Sequence, residues 1–99
     1  MNTPEKVEQT LHESIASARA NGVRVAEKVV LCREVRDGVT CACALGCVAD
    51  RFEAAARVLK ISFDDAAEIA RGFDGGFQHG KWSRIGARLR AEFLTPTAC

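Results

Sequence analysis

The chain has 99 residues, a formal net charge of +1, 47% apolar residues and 27% charged residues. This length predicts one domain spanning residues 1–99, because a chain of this size buries one core and not two. Its apolar content is that of an ordinary globular protein, and no apolar run approaches the ~20 residues of a membrane span. The first residues are polar and of mixed charge, unlike a signal peptide, so we expect a cytoplasmic protein with reduced thiols and no membrane partner.

Residues 3–22 predict a first helix. Thr3 is a good capping residue, and Pro4 is tolerated at the first helical position. An apolar stripe follows at four-residue spacing, formed by Val7, Leu11 and Ile15. The stripe is narrow, which predicts a helix on the outside of the fold that stops at Gly22.

Asp37-Gly38 predicts a β-hairpin, because a two-residue type I′ turn needs positive φ at both positions. The turn sets the cross-strand pairs Arg36–Val39, Val35–Thr40 and Cys32–Cys43. We expect strands at 29–35 and 39–43. A two-stranded ribbon is marginal in water, so it must pack on helices or gain a third short strand from residues 23–25.

From Ala44 onward the apolar period becomes helical and predicts one helix up to residue 59. Its apolar face comprises Leu45, Val48, Phe52, Ala56 and Leu59. Ser62 caps the next predicted helix, which buries Phe63 and ends at Arg71, with Gly72 as its C-terminal cap. After the glycine-rich connection, residues 72–80, the last predicted helix runs from Lys81 to Phe93.

These elements predict an α+β fold with an N-terminal helix, a β-hairpin and three packed helices. The expected core consists of Val29, Leu31, Leu45, Val48, Phe52, Leu59, Ile69, Trp82, Ile85, Leu89 and Phe93.

Four of the five cysteines lie in or next to the hairpin: Cys32, Cys41, Cys43 and Cys47. They could supply four thiolates to a structural zinc ion, or three together with His79. The spacing is not the usual pair of Cys-x₂₋₄-Cys knuckles, and reduced cysteines also behave as small buried apolar residues. Core thiols without a cofactor are therefore favoured, and zinc is the alternative. A Cys32–Cys43 disulfide is compatible with cross-strand distances, although the sequence has no Cys-x-x-Cys redox motif.

Two surface segments are candidate partner contacts. The connection at 72–80 could present Phe73, Asp74, Phe77 and His79 to a partner, since loops carry function disproportionately. The interpretation that loop-length statistics favour is a helix connection whose phenylalanines, Phe73 and Phe77, fill the core. On the last helix, Arg84 and Arg88 lie one turn apart and form a basic face. That face could contact a protein or nucleic acid, although a solvated face is the common meaning and near-neutral charge weakens the nucleic-acid interpretation.

The order of four short motifs resembles small uncharacterised proteins encoded by bacteriophages and bacterial mobile elements. The motifs are Cys43-Ala-Leu-Gly46, Leu59-Lys-Ile-Ser62, Gly72-Phe-Asp-Gly75 and Ile85-Gly-x-x-Leu-Arg-x-Glu-Phe93. In these proteins the Cys-Ala-Leu-Gly segment opens a helix. Cys41 and Cys47 are not part of the pattern, which makes a shared zinc site less expected. The resemblance implies no established activity.

No arrangement of side chains in the sequence supports catalysis. We therefore expect a small non-catalytic binding or regulatory protein that occupies the surface of a host protein or defence complex, as an anti-CRISPR protein does. The alternatives are a zinc-stabilised module and a nucleic-acid-binding protein that uses its last helix. The sequence leaves open whether the protein is a monomer or a homodimer.

Overall fold

The computed structural model of the protein describes residues 2–27, 29 and 32–94. These residues form an α+β fold with an N-terminal helix, a small three-stranded sheet and three further helices, which confirms the predicted class and order. The helices are α1 (Pro4–Ala20), α2 (Phe52–Leu59), α3 (Phe63–Gly75) and α4 (Lys81–Phe93). The strands are β1 (Arg24–Val25), β2 (Arg33–Arg36) and β3 (Val39–Ala42), and a 3₁₀ helix (Leu45–Cys47) follows β3.

The first helix has the predicted start and stop. The Thr3 hydroxyl accepts a hydrogen bond from the Lys6 N–H at 3.3 Å, as an N-cap does, and the helix ends just before Asn21. The residues of its apolar stripe, Val7, Leu11 and Ile15, are completely buried. Through this stripe α1 packs against α4, β1 and the 3₁₀ helix.

The hairpin forms around the predicted turn. Asp37 and Gly38 have φ values of 52° and 78°, and the cross-strand pairs are Arg36–Val39 and Val35–Thr40 as predicted. The third strand is also present: β1 pairs parallel with β3, so the strand order is β1-β3-β2. β2 begins at Arg33, later than the predicted residue 29. Leu31, a predicted core residue, lies outside the described residues.

The single helix predicted from Ala44 to residue 59 is wrong. The chain forms the 3₁₀ helix first, then passes through Arg51 in an extended conformation (φ −149°, ψ 163°) before α2 begins. The first part is docked on the hairpin, because a Cβ at Gly46 would lie 2.0 Å from the Cys32 carbonyl oxygen. Leu45 and Leu59 are both fully buried. The helical spacing of apolar residues therefore continues from the 3₁₀ helix into α2, and the sequence gives no sign of the break between them.

The third helix starts as predicted and ends later. The Ser62 hydroxyl accepts a hydrogen bond from the Asp65 N–H at 3.1 Å. Gly72 was predicted as the C-terminal cap, but α3 continues through Gly75 and is capped by Gly76 at φ 72°. Gly72 is instead a buried contact of α3 with α4, and this tertiary role explains why its presence does not end the helix.

The core lies between the helices and the inner face of the sheet. The predicted core residues that are buried are Leu45, Leu59, Ile69, Trp82, Ile85 and Leu89. Val29, Val48, Phe52 and Phe93 are half-buried and pack against them. The prediction that Phe63 is buried is wrong: this first residue of α3 is 52% exposed, and its ring packs on the Phe52 ring, 5.5 Å away between centroids.

Candidate functional site

Two regions carry the residues that the sequence singled out: the cysteines of the hairpin and the surface at the α3–α4 connection. The hairpin brings Cys32 and Cys43 together, because its register places them opposite each other. The Cys43 N–H donates a hydrogen bond to the Cys32 carbonyl at 3.1 Å, and both side chains are buried. Cys32 has φ 71°, a left-handed conformation that a residue with a side chain rarely adopts, so the pair sits on a strained backbone.

The two thiols have opposite electrostatic environments. The Cys32 thiol donates a hydrogen bond to the Cys43 sulfur, which lowers the pKa of Cys43 and raises the pKa of Cys32. The Gly46 N–H, 3.4 Å from the Cys43 sulfur, also favours the thiolate of Cys43. Cys43 is therefore the more readily ionised thiol of the pair, but with 6% of its surface exposed it is poorly placed to meet a large substrate.

The other two hairpin cysteines do not join this pair to make a preformed metal site. In residues 2–27, 29 and 32–94, no three His, Cys, Asp or Glu side chains form a group that could hold a metal ion. Burial raises the pKa of Cys47 to about 11, so its thiol is protonated at neutral pH. Zinc binding stays a prediction, and native mass spectrometry of the reduced protein with and without chelator is the measurement that tests it.

Cys47 also lines a surface cleft of about 420 Å³ between α1 and the start of β2. Ser14, Ser17 and Arg33 are among its other lining residues. The Arg33 Nε donates a hydrogen bond to the Gly46 carbonyl at 2.7 Å, which fixes this wall of the cleft. A protonated thiol beside serines and an arginine can bind polar groups but does not make an activated nucleophile.

At the α3–α4 connection the structure separates the predicted contact residues. Phe73 is completely buried, so its predicted role as a surface contact is wrong and it fills the core instead. Asp74 is half-buried, and its carbonyl accepts a hydrogen bond from Arg90 at 3.1 Å. Phe77 is 54% exposed and stacks on His79, with the ring centroids 5.6 Å apart and the planes 19° from parallel.

The exposed position of Phe77 has a local cause. Gly75, the last residue of α3, has no side chain, and a Cβ there would lie 2.9 Å from the Phe77 ring. The ring can therefore lie over the end of α3, between the Gly75 backbone and the His79 ring. Two contacts hold the aromatic side chain on the surface, which reduces the conformational entropy that a partner would have to freeze.

The two arginines of the basic face of α4, Arg84 and Arg88, differ in their contacts. Both arginines are exposed, but Arg88 makes a two-pronged ion pair with Glu8 of α1, at 2.9 Å from Nε and 2.6 Å from Nη2. This pair offsets the Arg88 charge and makes it a link between helices. Of the two predicted basic contacts, Arg84 remains the better candidate for a partner. The two ends of the Glu8–Arg88 pair are 80 residues apart, so no local pattern in the sequence could have revealed it.

Sequence reasoning also missed Arg90 and Glu27. The Arg90 guanidinium donates to the Phe73 carbonyl at 2.9 Å and forms an ion pair with Glu27. It therefore satisfies carbonyl groups at the end of α3 and ties that end to the segment after β1. A basic residue near the end of α4 was visible in the sequence, but its target on another helix was not.

Comparison with known proteins gives no relative from which a role could be transferred: no family model, no curated protein and no solved structure matches the chain. In the part of the chain that the structure describes, no helix has both the length and the apolar character needed to cross a bilayer.

Proposed function

We propose that this protein is a small binding or regulatory protein that acts without catalysis, by occupying the surface of a partner protein. Its contact surface comprises Phe77, His79 and Arg84, which we call the connection surface. The observation that carries the proposal is the exposure of Phe77. A large aromatic side chain held on the surface can bury substantial apolar area in a partner pocket at low entropic cost, and aromatic residues with arginine are enriched in protein interfaces.

The resemblance to phage and mobile-element proteins suggests the class of partner. Proteins of that origin commonly act on host proteins, and the concrete form of the proposal is an inhibitor of a defence complex such as a CRISPR effector. The near-neutral net charge favours a protein surface over nucleic acid, because a nucleic-acid binder of this size usually carries a clear excess of basic residues.

The test uses cells that each carry one defined CRISPR effector together with a phage that this effector targets. Expression of the wild-type chain should restore infection in at least one of these strains, and the purified chain should bind that effector. Phe77→Ala should lose both effects. Phe63→Ala is the matched control, because Phe63 is equally exposed (52%) but lies at the other end of α3.

Gly75→Ala separates binding from folding. The added Cβ displaces the Phe77 ring, which can move into solvent, while alanine favours the helical conformation by up to about 1 kcal/mol. We expect unchanged or slightly higher stability with weaker binding. If Phe77→Ala and Gly75→Ala both bind like the wild type while Phe63→Ala does not, the connection surface is the wrong surface. If the chain protects none of the strains, the inhibitor proposal fails.

A further inference from the structure

Strand β2 lies at one edge of the three-stranded sheet. In the order β1-β3-β2, strand β2 pairs with β3 on one side. Among the described residues no strand pairs with its other side, which we call the outer edge of β2. Val35, in the middle of this strand, is 70% exposed, and Arg33 and Arg36 are exposed on either side of it. The main-chain N–H and C=O groups along a strand edge are a template for pairing with another strand.

The hydrogen-bond pattern of the hairpin identifies which residues offer main-chain groups at the outer edge. Antiparallel pairs alternate between hydrogen-bonded and non-hydrogen-bonded. The bond from the Cys43 N–H to the Cys32 carbonyl places that pair in the hydrogen-bonded class, as the turn-closing pair Arg36–Val39 must also be. Arg33 and Val35 are therefore in non-hydrogen-bonded positions toward β3, and their N–H and C=O groups point to the outer edge.

We propose that two copies of this chain pair antiparallel along the outer edge of β2, with the two-fold axis at Val35. In this register Val35 lies opposite Val35 of the second copy, Glu34 opposite Arg36, and Arg33 opposite Asp37. Val35, the residue on the axis, has its main-chain groups on the outer edge, so the central Val35–Val35 pair is hydrogen-bonded. The strand is thus self-complementary in hydrogen bonding and in charge, as an interface between identical chains requires.

Two neighbouring registers would also place the outward-pointing main-chain groups of the two strands opposite each other. Repulsion between like charges disfavours both. Moving the axis by one residue toward the N-terminus places Glu34 opposite Glu34 of the second copy. Moving it one residue the other way places Arg36 opposite Arg36. Like charges directly opposite each other in a sheet are destabilising, so the Val35-centred register is selected over both.

Within one chain Glu34 and Arg36 already form an ion pair at 2.5 Å on one face of β2. In the proposed dimer Glu34 of each copy also lies opposite Arg36 of the other copy. Four charges of alternating sign therefore lie along the interface between the two β2 strands, which we call the seam. Arg33 keeps its Nε on the Gly46 carbonyl, and its contribution to the seam is mainly through its main-chain groups. The proposal does not depend on the connection surface, because it uses a different part of the molecule.

The seam is short, so the expected dimer is weak. Four residues per strand bury much less than the ~1,200 Å² of a standard specific interface. We expect the protein to be mostly monomeric at micromolar concentration and to form a two-fold dimer as the concentration rises toward about 1 mM. In that range the amide hydrogens of Val35 and Arg33 should exchange more slowly, whereas those of Phe77 and His79 should not change.

The first test is Val35→Pro, measured by sedimentation velocity and hydrogen exchange. In the monomer the Val35 N–H points away from β3, and proline is tolerated on an edge strand, so the fold should be retained by circular dichroism. The dimer loses both hydrogen bonds of its central pair, and association should weaken by about tenfold or more. Val35→Thr is the matched control, because it keeps the N–H and the β-branched shape and should still dimerise.

The second test exchanges the charges. Glu34→Arg gives a chain with two arginines on that face of β2, and Arg36→Glu gives a chain with two glutamates. Each variant alone should dimerise more weakly than the wild type, and an equimolar mixture should form the heterodimer in preference to either homodimer. A monomer at every concentration, a dimer unaffected by Val35→Pro, or a mixture without heterodimer preference would each overturn the proposal.

Discussion

The α3–α4 helix pair and the cysteine-containing hairpin both depend on a glycine that lets two backbone segments approach closely, but the consequences for stability differ. In the helix pair, a Cβ at Gly72 would lie 2.0 Å from the Ser83 carbonyl oxygen, and one at Gly86 would lie 2.0 Å from the Ile69 carbonyl oxygen. Each helix thus offers a glycine to the other helix's backbone. In the hairpin, a Cβ at Gly46 would lie equally close to the Cys32 carbonyl oxygen, but this is a single glycine contact and not a pair of them.

The two regions differ in how much backbone strain they can tolerate. The helix pair joins two 13-residue helices through two glycines and fully buried side chains, including Phe73 and Ile85. Its backbone cannot yield at one contact without disturbing the other. The hairpin closes on Cys32, which already holds an unfavourable φ, and one N–H from Cys43 supports its carbonyl. We therefore expect the helix pair to determine global stability and the hairpin to yield locally.

The largest predicted effect comes from Gly72→Ala or Gly86→Ala. Each adds a methyl group that meets main-chain atoms, which cannot rotate away, so we expect a loss of about 3 kcal/mol or more in the free energy of unfolding. Urea unfolding measures it. Gly75→Ala is the control on α3, because its Cβ meets a mobile ring. Equal losses in all three variants would mean that helix approach is not the cause.

Gly46→Ala makes the corresponding change in the hairpin. Its Cβ also meets a main-chain carbonyl, but the Cys32 segment can move away at the cost of the hydrogen bond to the Cys43 N–H. We expect a smaller loss, about 2 kcal/mol, together with faster amide exchange in the hairpin and unchanged exchange in α3 and α4. If Gly46→Ala destabilises α3 and α4 as strongly as Gly86→Ala does, the hairpin is part of the same cooperative unit and the distinction is wrong.

The sequence predicted those parts of the fold that local chemistry controls. The Asp37-Gly38 turn and the Ser62 cap depend on atoms only a few residues away, so the residue types at these positions are enough to predict both features. The end of α4 at Phe93 and its start at Lys81 follow from an uninterrupted apolar period. The same reasoning gave the fold class.

The sequence could not predict features that depend on a distant surface. Gly72 is a helix stop by local chemistry, and only the approach of α4 keeps it inside α3. The break before α2 is hidden because Leu45 and Leu59 both face the core on either side of it. In the candidate site the same limit applies: exposure of Phe77 and burial of Phe73, four residues apart, follow from where α3 ends.

Arg90→Ala tests the link between the helix pair and the sheet side of the molecule. It removes the donor to the Phe73 and Asp74 carbonyls and the partner of Glu27, and it leaves these groups to water because the site is about one-third exposed. We expect a loss of about 1–2 kcal/mol, measured by thermal and urea unfolding. Arg84→Ala, on the exposed face of the same helix, should change stability by less than about 0.5 kcal/mol. If Arg90→Ala and Arg84→Ala reduce stability equally, Arg90 does not cap the end of α3.

The smallest predicted effect is that of the Glu8–Arg88 pair, which joins α1 to α4. Hydrogen bonding to Arg88 lowers the pKa of Glu8. Because the folded pKa of this acid lies below its unfolded value of about 4.3, the stabilisation is fully present above that value and is lost as pH falls through the folded pKa. Glu8→Gln should therefore cost below about 1 kcal/mol at pH 7, since the pair is partly exposed, and almost nothing at strongly acidic pH.

A double-mutant cycle isolates this contribution from other effects of the two substitutions. Glu8→Gln, Arg88→Gln and the double variant are unfolded in urea at neutral and at acidic pH, and the coupling free energy is taken from the four stabilities. We expect a favourable coupling at pH 7 that shrinks toward zero on acidification and on addition of salt. A coupling that stays constant with pH would show that the carboxylate charge of Glu8 does not hold α1 on α4, and that the apolar stripe of Val7, Leu11 and Ile15 is sufficient for that contact.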